Sequence, residues 1–207
     1  DTMSYDDASM ACCGLGASFG AVNLLDIKSS DTVLITGLGP VGLGAIINCI
    51  SMGARVIGVA RNSYRSKLAL ELGAEVVINP NNVDCIQQIK KLTGGLGTDK
   101  SIECSGGKLY QSTCINGTRR KGQIAFVGES KSLTVKVSDD LIRKGLTIYG
   151  SWHWNLKDTK KILDRIANKN TLISKLITHK FTLSEAEDAF KLQISGRCGK
   201  VLLHPWE

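Results

Sequence analysis

Long apolar runs are missing from this chain of 207 residues, and no stretch approaches the roughly 18 apolar residues that a membrane-spanning helix needs. The chain also lacks a secretion signal near its first residue, which is Asp1 rather than Met, so we expect a piece of a longer protein. The seven cysteines are an odd number and show no Cys-x-x-Cys spacing, which argues against a disulfide framework. These absences predict a soluble, cytoplasmic protein with reduced thiols and no membrane partner.

Concentrated positive charge is also scarce, although the net charge is +7. The Lys and Arg residues are mixed with acids along the chain and form only short clusters, such as residues 119–121. Nucleic-acid-binding domains instead carry a basic patch or stripe on one face. We therefore interpret the basic residues as solvated surface and expect no nucleic-acid partner.

Apolar runs of strand length alternate with longer helical patterns from Thr32 onward. This alternation predicts an α/β fold of the Rossmann type, with a doubly wound, six-stranded parallel sheet and helices on both faces. A tail follows the sixth strand and reads as helix, short strand, helix and last strand. The predicted strands are 32–37, 55–60, 75–80, 99–106, 123–129 and 146–152, and the helices between the first five are 40–54, 62–74, 83–95 and 109–122.

A glycine-rich turn joins the first predicted strand to the first predicted helix. Gly37, Gly39 and Gly42 match the pattern Gly-x-Gly-x-x-Gly, with Pro40 and Val41 between the last two. The first glycine permits a tight turn, the second lets a pyrophosphate approach the backbone, and the third allows close packing of helix on strand. We expect these five residues to bind a dinucleotide; the alternative is that the glycines serve turns and packing alone.

The second predicted strand ends where an acid would bind the ribose 2′-hydroxyl of NAD, and Ala60 stands there. Alanine removes the repulsion between a carboxylate and a 2′-phosphate. Arg61 adjoins it and Arg65 lies one helical turn further on, so a guanidinium can bond the phosphate. This pattern predicts a preference for NADP(H). The alternative is that both arginines are solvated and that NAD binds as well.

Four segments together resemble one enzyme family: "TGLGPVGLGAI" (36–46), "LALELGAEVVINP" (68–80), "GTDKSIECSG" (97–106) and "GKVLLHP" (199–205). They are similar to the medium-chain dehydrogenase/reductase superfamily, specifically its zinc-dependent alcohol and polyol dehydrogenases. The resemblance implies that the chain is the C-terminal, cofactor-binding portion of such an enzyme. Its parts would be a lead-in from an absent catalytic domain (1–28), an NAD(P)-binding Rossmann domain (29–152) and a segment returning towards the catalytic domain (153–207).

The same resemblance implies further site residues. In "ACCGLGASFGAV" (11–22), Cys13 matches a position that supplies a zinc ligand in many members, so zinc is expected in the full-length enzyme; the alternative is a small buried core cysteine. Lys200 falls where a basic residue approaches the pyrophosphate, unless it is a solvated charge. The backbone beside the nicotinamide would be that of Val127, Gly128, Glu129, Ile148 and Tyr149.

As a function, the resemblance implies hydride transfer between NADP(H) and a small alcohol, ketone or aldehyde. The missing zinc ligands imply that this piece alone catalyses nothing. Homo-oligomers through the sixth strand are expected, with the aromatic rings of "SWHW" (151–154) at the interface; the alternative is that these rings form a wall of the substrate pocket. Two alternatives stay open: a zinc-free quinone or enoyl reductase of the same superfamily, and a freestanding nucleotide-binding or dimerisation module without catalysis.

Overall fold

The computed structural model describes residues 3–168 and 172–206, and in that part of the chain six parallel strands form one sheet. The strands are β1 (Thr32–Thr36), β2 (Arg55–Val59), β3 (Val76–Ile78), β4 (Thr98–Glu103), β5 (Thr118–Phe126) and β6 (Thr147–Gly150). Their order is β3-β2-β1-β4-β5-β6, so the winding direction reverses between β1 and β4. Sheets of this type bind ligands at that reversal, outside the carboxyl ends of the strands.

Helices and a small second sheet surround these strands. The helices are α1 (Tyr5–Ser9), α2 (Leu15–Leu24), α3 (Pro40–Ser51), α4 (Ser63–Glu71), α5 (Cys85–Leu92), α6 (Lys108–Gly117), α7 (Thr159–Ala167), α8 (Ile173–Leu176) and α9 (Ala186–Ser195). A parallel pair, β7 (Ile177–Thr182) and β8 (Lys200–His204), forms the second sheet. Among the described residues, none of the helices combines the length and apolar character that crossing a bilayer requires.

The large sheet buries apolar side chains on both faces. In β1, Val33 and Ile35 enter the core beneath α2 and α3, whereas Leu34 enters the core beneath α5 and α6. Successive side chains of a strand point to opposite faces, so a strand buried on both faces reads as a continuous apolar run. The prediction of a doubly wound parallel sheet with helices on both faces is confirmed.

The boundary between α6 and β5 differs from the prediction, which continued the helix to residue 122. Thr118 instead begins the strand: its buried hydroxyl lies 2.6 Å from that of Ser101 and bonds the carbonyl of Cys114 at 2.6 Å. Lys121 then adopts a left-handed φ of 57° and donates its N–H to the Lys144 carbonyl. A tertiary network of buried hydroxyl groups therefore overrides the helical pattern of the sequence.

Close backbone contacts fix α2 against the rest of the fold. A Cβ added to Gly44 of α3 would lie 2.2 Å from the carbonyl oxygen of Gly14, which precedes α2. A Cβ added to Gly20 would lie 1.8 Å from the carbonyl oxygen of His153, which follows β6. Real Cβ atoms do not approach oxygen so closely, so both contacts require glycine.

An ionic cluster ties α1 to the second sheet. Asp6 accepts a hydrogen bond from Lys180 of β7, and its other oxygen lies 2.8 Å from Nε2 of His204 in β8. These contacts, with the hydrogen bond from Lys180 first, hold the pKa of the Asp6 carboxyl below its ordinary value. The cluster stabilises the N-terminal helix on the C-terminal strands.

Candidate cofactor site

The glycine turn leaves an open, donor-rich surface at the start of α3. Gly37 has a φ of 80°, in the left-handed region that favours glycine. A Cβ on Gly42 would lie 2.1 Å from the Gly37 carbonyl oxygen, whereas a Cβ on Gly39 would meet no atom within 4 Å. Pro40 is the first residue of this helix, and no side chain caps its N-terminus. The turn can therefore accept an anion at the free N–H groups.

The first cavity has a volume of about 350 Å³ and lies beside this turn, at the carboxyl ends of the central strands. It brings together five predicted residues: Gly37, Gly39, Ala60, Arg61 and Arg65. No carboxylate is among its described lining residues. The others are Leu38, Asn62, Cys104, Ser105 and Tyr110, which the sequence reasoning missed.

At the end of β2, where NAD-binding domains carry an acid, the first cavity is lined by Ala60 and Arg61. Ala60 follows β2, is 4% exposed and donates its N–H to Ile78 of β3 at 3.1 Å. The Arg61 side chain is exposed, and its guanidinium carbon lies 5.9 Å from the centre of the Tyr110 ring. This geometry is that of a weak cation–π contact. In the described part of the chain, Arg61 forms no ion pair that would neutralise its charge.

Arg65 lines the first cavity and also holds the C-terminal segment. Its Nε donates to the Cys198 carbonyl at 3.1 Å, and its Nη2 lies 3.4 Å from the Gln193 carbonyl. Its N–H donates to Asn62, the residue that caps α4. Both acceptors are neutral carbonyl groups, and they set the direction of the guanidinium.

The second cavity has a volume of about 390 Å³ and contains another five predicted residues: Cys13, Val41, Val127, Gly128 and Glu129. Cys104 and Ser105 line both this cavity and the first one. Both follow β4, and the rule that strand ends line the ligand crevice would have indicated them. The remaining lining residues are Ala17, Ser151, Trp152 and His153.

A third cavity, of about 440 Å³, joins Cys13, Pro40 and Val41 to Lys200 at the start of β8. Lys200 therefore shares a cavity with two residues that directly follow Gly39. Ile148 and Tyr149 line none of these three cavities. Their side chains pack into the two cores, while residues 151–153, just beyond β6, line the second cavity.

Cys13 is an exposed thiol in the turn before α2. The described residues include no group of three His, Cys, Asp or Glu side chains that could hold a metal. Cys104, in the same cavity, has its thiol pKa raised by burial and by the nearby Glu103 charge, which favours the protonated thiol. These residues alone therefore do not make a zinc site, since zinc needs three or four ligands.

The strand order, the glycine turn and the cavities at the reversal point together define a Rossmann-type fold. The model of one protein family, described as zinc-binding dehydrogenase, matches residues 40–168. The chain belongs to this family, and the predicted resemblance to zinc-dependent alcohol dehydrogenases is confirmed.

Relatives and solved structures agree with this assignment. The zinc-type alcohol dehydrogenase-like protein YphC of Escherichia coli is 32% identical and is matched over 99% of this chain and 58% of its own length. A sorbitol dehydrogenase of Halalkalibacterium halodurans is 33% identical and is matched over 97% of this chain and 60% of its own length. The crystal structure of an alcohol dehydrogenase from Thermotoga maritima superposes with a TM-score of 0.89 at 29% identity. The match covers 99% of this chain and 58% of that one. The chain thus spans about three fifths of these relatives' length.

Proposed function

We propose that this chain is the cofactor-binding portion of a zinc-dependent oxidoreductase that transfers hydride between NADP(H) and a small alcohol, ketone or aldehyde. The observation that carries the cofactor preference is the lining of the first cavity, where Ala60 and Arg61 stand together and no described carboxylate is present. The relatives supply the reaction class, because their names include alcohol and sorbitol dehydrogenases.

In this proposal the adenosine half of the cofactor lies in the first cavity, with its 2′-phosphate towards Arg61. The pyrophosphate lies on the N–H groups of α3 above Gly39, where a Cβ would meet nothing within 4 Å. The nicotinamide lies in the second cavity beside the backbone of residues 127–129, and Lys200 adds positive charge near the pyrophosphate. When bound, the cofactor accepts or donates the hydride; the protein residues bind and orient it.

The preference for NADP(H) follows from charge. A 2′-phosphate carries negative charge, and a charge-assisted hydrogen bond from a guanidinium contributes about 1.5–3 kcal/mol, or roughly tenfold to hundredfold in affinity. NADH lacks the phosphate and gains nothing from Arg61. Arg65 acts at longer range, because its N–H groups already bond the carbonyls of Cys198 and Gln193.

We propose Cys13 as one ligand of a zinc site whose other ligands lie outside the residues that the structure describes. Its thiol is exposed and lines the second cavity, where the nicotinamide would lie. A catalytic zinc polarises the substrate oxygen as a Lewis acid. The chain by itself is therefore proposed to bind cofactor without catalysing the reaction.

We also propose that two copies pair through β6, the edge strand of the large sheet. Ser151 donates its N–H inward to Phe126 of β5, so by the alternation of a strand the N–H of Gly150 points outward. Trp152, which follows, is 73% exposed. An unpaired strand edge beside an exposed aromatic side chain fits a second copy of the same chain.

The cofactor preference is tested by titrating the chain with NADPH and NADH at one ionic strength, following nicotinamide fluorescence. We expect NADPH to bind about tenfold or more tightly, and Arg61→Ala to remove this difference. Arg120→Ala is the matched control, because Arg120 is an exposed arginine outside the three cavities. Equal affinities for the two cofactors in the unmodified chain would contradict the proposal.

A further inference from the structure

Glu103, the last residue of β4, has a fully buried side chain whose hydrogen bonds go to a single loop. Its Oε1 accepts hydrogen bonds from the N–H of Ser105 (2.8 Å), the hydroxyl of Ser105 (2.7 Å) and the N–H of Gly106 (3.0 Å). Its Oε2 accepts from Gly106 as well, at 3.0 Å. Within residues 3–168 and 172–206 it has no cationic partner. A buried carboxylate is tolerated only with such donors.

The backbone of the same residue holds a second loop. The Glu103 carbonyl accepts hydrogen bonds from the N–H groups of Val127 (2.9 Å) and Gly128 (3.0 Å). We call residues 104–107 the β4 loop and residues 127–129 the β5 loop. One residue thus anchors both loops, the β4 loop through its side chain and the β5 loop through its main chain.

The β5 loop packs closely against this carboxylate, and the two loops pack closely against each other. A Cβ on Gly128 would lie 2.8 Å from Oε2 of Glu103, and a Cβ on Gly106 would lie 1.9 Å from the Glu129 carbonyl oxygen. Gly106 also has a φ of 72°, which favours glycine. A displaced carboxylate would therefore displace both loops together.

Both loops line the cavities assigned to the cofactor, although Glu103 lines none of them. Cys104 and Ser105 of the β4 loop lie in the first and second cavities, and the whole β5 loop lies in the second. The carboxylate thus lies beneath the surface that the adenosine half and the nicotinamide half would share.

We propose that Glu103 is a positioning residue for the cofactor, which holds the β4 and β5 loops in the geometry that binds both halves of NADP(H). This inference rests on the proposed function. It assigns a role in cofactor binding to a side chain that makes no contact with the cofactor. Loss of the carboxylate then weakens binding of the adenosine half and of the complete cofactor together.

The test compares three substitutions in the 207-residue chain. The probes are NADPH and 2′,5′-ADP, which reports the adenosine half alone. Glu103→Leu keeps the bulk but removes every acceptor, and we expect about tenfold or greater loss of affinity for both probes. Glu103→Gln retains an oxygen for Ser105 and Gly106 and should stay within about threefold of the unmodified chain. Glu103→Asp keeps the charge but is one methylene shorter, so it should also lower the affinity for both probes. If the leucine variant does not fold, the affinities of the aspartate variant test the proposal.

The matched control is Ser101→Ala, which removes a buried hydroxyl two residues earlier in β4, away from the cavities. It should lower the unfolding temperature without changing either affinity. Unchanged binding in the leucine and aspartate variants overturns the inference, as does a control that loses as much affinity as they do. If the unmodified chain binds neither probe, the proposed function itself fails, which is a different outcome.

Discussion

An aspartate in place of Ala60 should turn the first cavity from one that accepts a 2′-phosphate into one that repels it. Ala60 directly follows β2, is 4% exposed and lines the cavity beside Arg61. The new carboxylate would lie near the ribose and within reach of the neighbouring guanidinium. It would accept a hydrogen bond from the 2′-hydroxyl of NADH, for which the described lining offers no carboxylate acceptor.

The size of this effect follows from two terms. Two unit charges about 4 Å apart interact with about 4 kcal/mol at an effective dielectric constant of about 20, and salt reduces this because Arg61 and the cavity mouth are exposed. Arg61 also turns partly to the new carboxylate and loses some of its bond to the phosphate. We expect a net loss of about 2–3 kcal/mol for NADPH, or about 30- to 150-fold in affinity. The affinity for NADH should rise by up to about tenfold.

The assay is fluorescence titration of both cofactors with the unmodified chain, Ala60→Asp and Ala60→Asn. Asparagine has nearly the shape of aspartate without its charge, so it separates electrostatic repulsion from crowding. We expect only the aspartate variant to favour NADH. Our assignment of Ala60 to the 2′-phosphate is wrong if a folded aspartate variant binds NADPH as tightly as the unmodified chain, or if asparagine weakens NADPH equally.

Two further predictions concern stability and assembly. The pKa of Asp6 in the folded state is lowered from its ordinary value of 3.8. Its contacts with Lys180 and His204 therefore stabilise the fold fully at pH values above 3.8, and this contribution is lost as the pH falls through the lowered folded-state pKa. Asp6→Asn should therefore lower the free energy of unfolding by about 0.5–1 kcal/mol at pH 7, with a difference in urea midpoint that shrinks towards pH 3; a difference independent of pH would contradict this. Gly150→Pro removes an outward N–H of β6 and should shift sedimentation to the monomer, whereas Gly150→Ala should not; dimers that survive the proline would exclude pairing through this edge.

The central part of the fold follows from local sequence patterns. Residues 32–59 contain two buried strands and one helix in immediate succession, and the glycine turn between them has a sterically defined shape. Their relation in space is therefore set by short connections and right-handed crossovers. The grouping of Gly37, Gly39 and Ala60 in one cavity could be predicted for this reason.

The rest of the site depends on residues far apart in the chain. Tyr110 lies near Arg61 only because β4 is placed next to β1, and nothing in its local sequence marks it as a cavity residue. Arg65 was predicted from its spacing to Arg61, but its bonds to Cys198 depend on how the C-terminal segment folds back. The early start of β5 at Thr118 likewise depends on a tertiary hydroxyl network. Periodicity and spacing carry no information about such contacts.

The glycine contacts of α2 determine how precisely the Cys13 thiol is located. Cys13 immediately precedes Gly14, whose carbonyl touches α3 at Gly44, and α3 begins at the glycine turn. The turn that carries the thiol and the turn assigned to the pyrophosphate are therefore both attached to one rigid helix. The close contact of Gly14 with Gly44 therefore fixes the backbone before α2 relative to the helix that begins at the glycine turn. Any chemistry that uses both the Cys13 thiol and a cofactor on the glycine turn therefore starts from a backbone spacing that α3 sets.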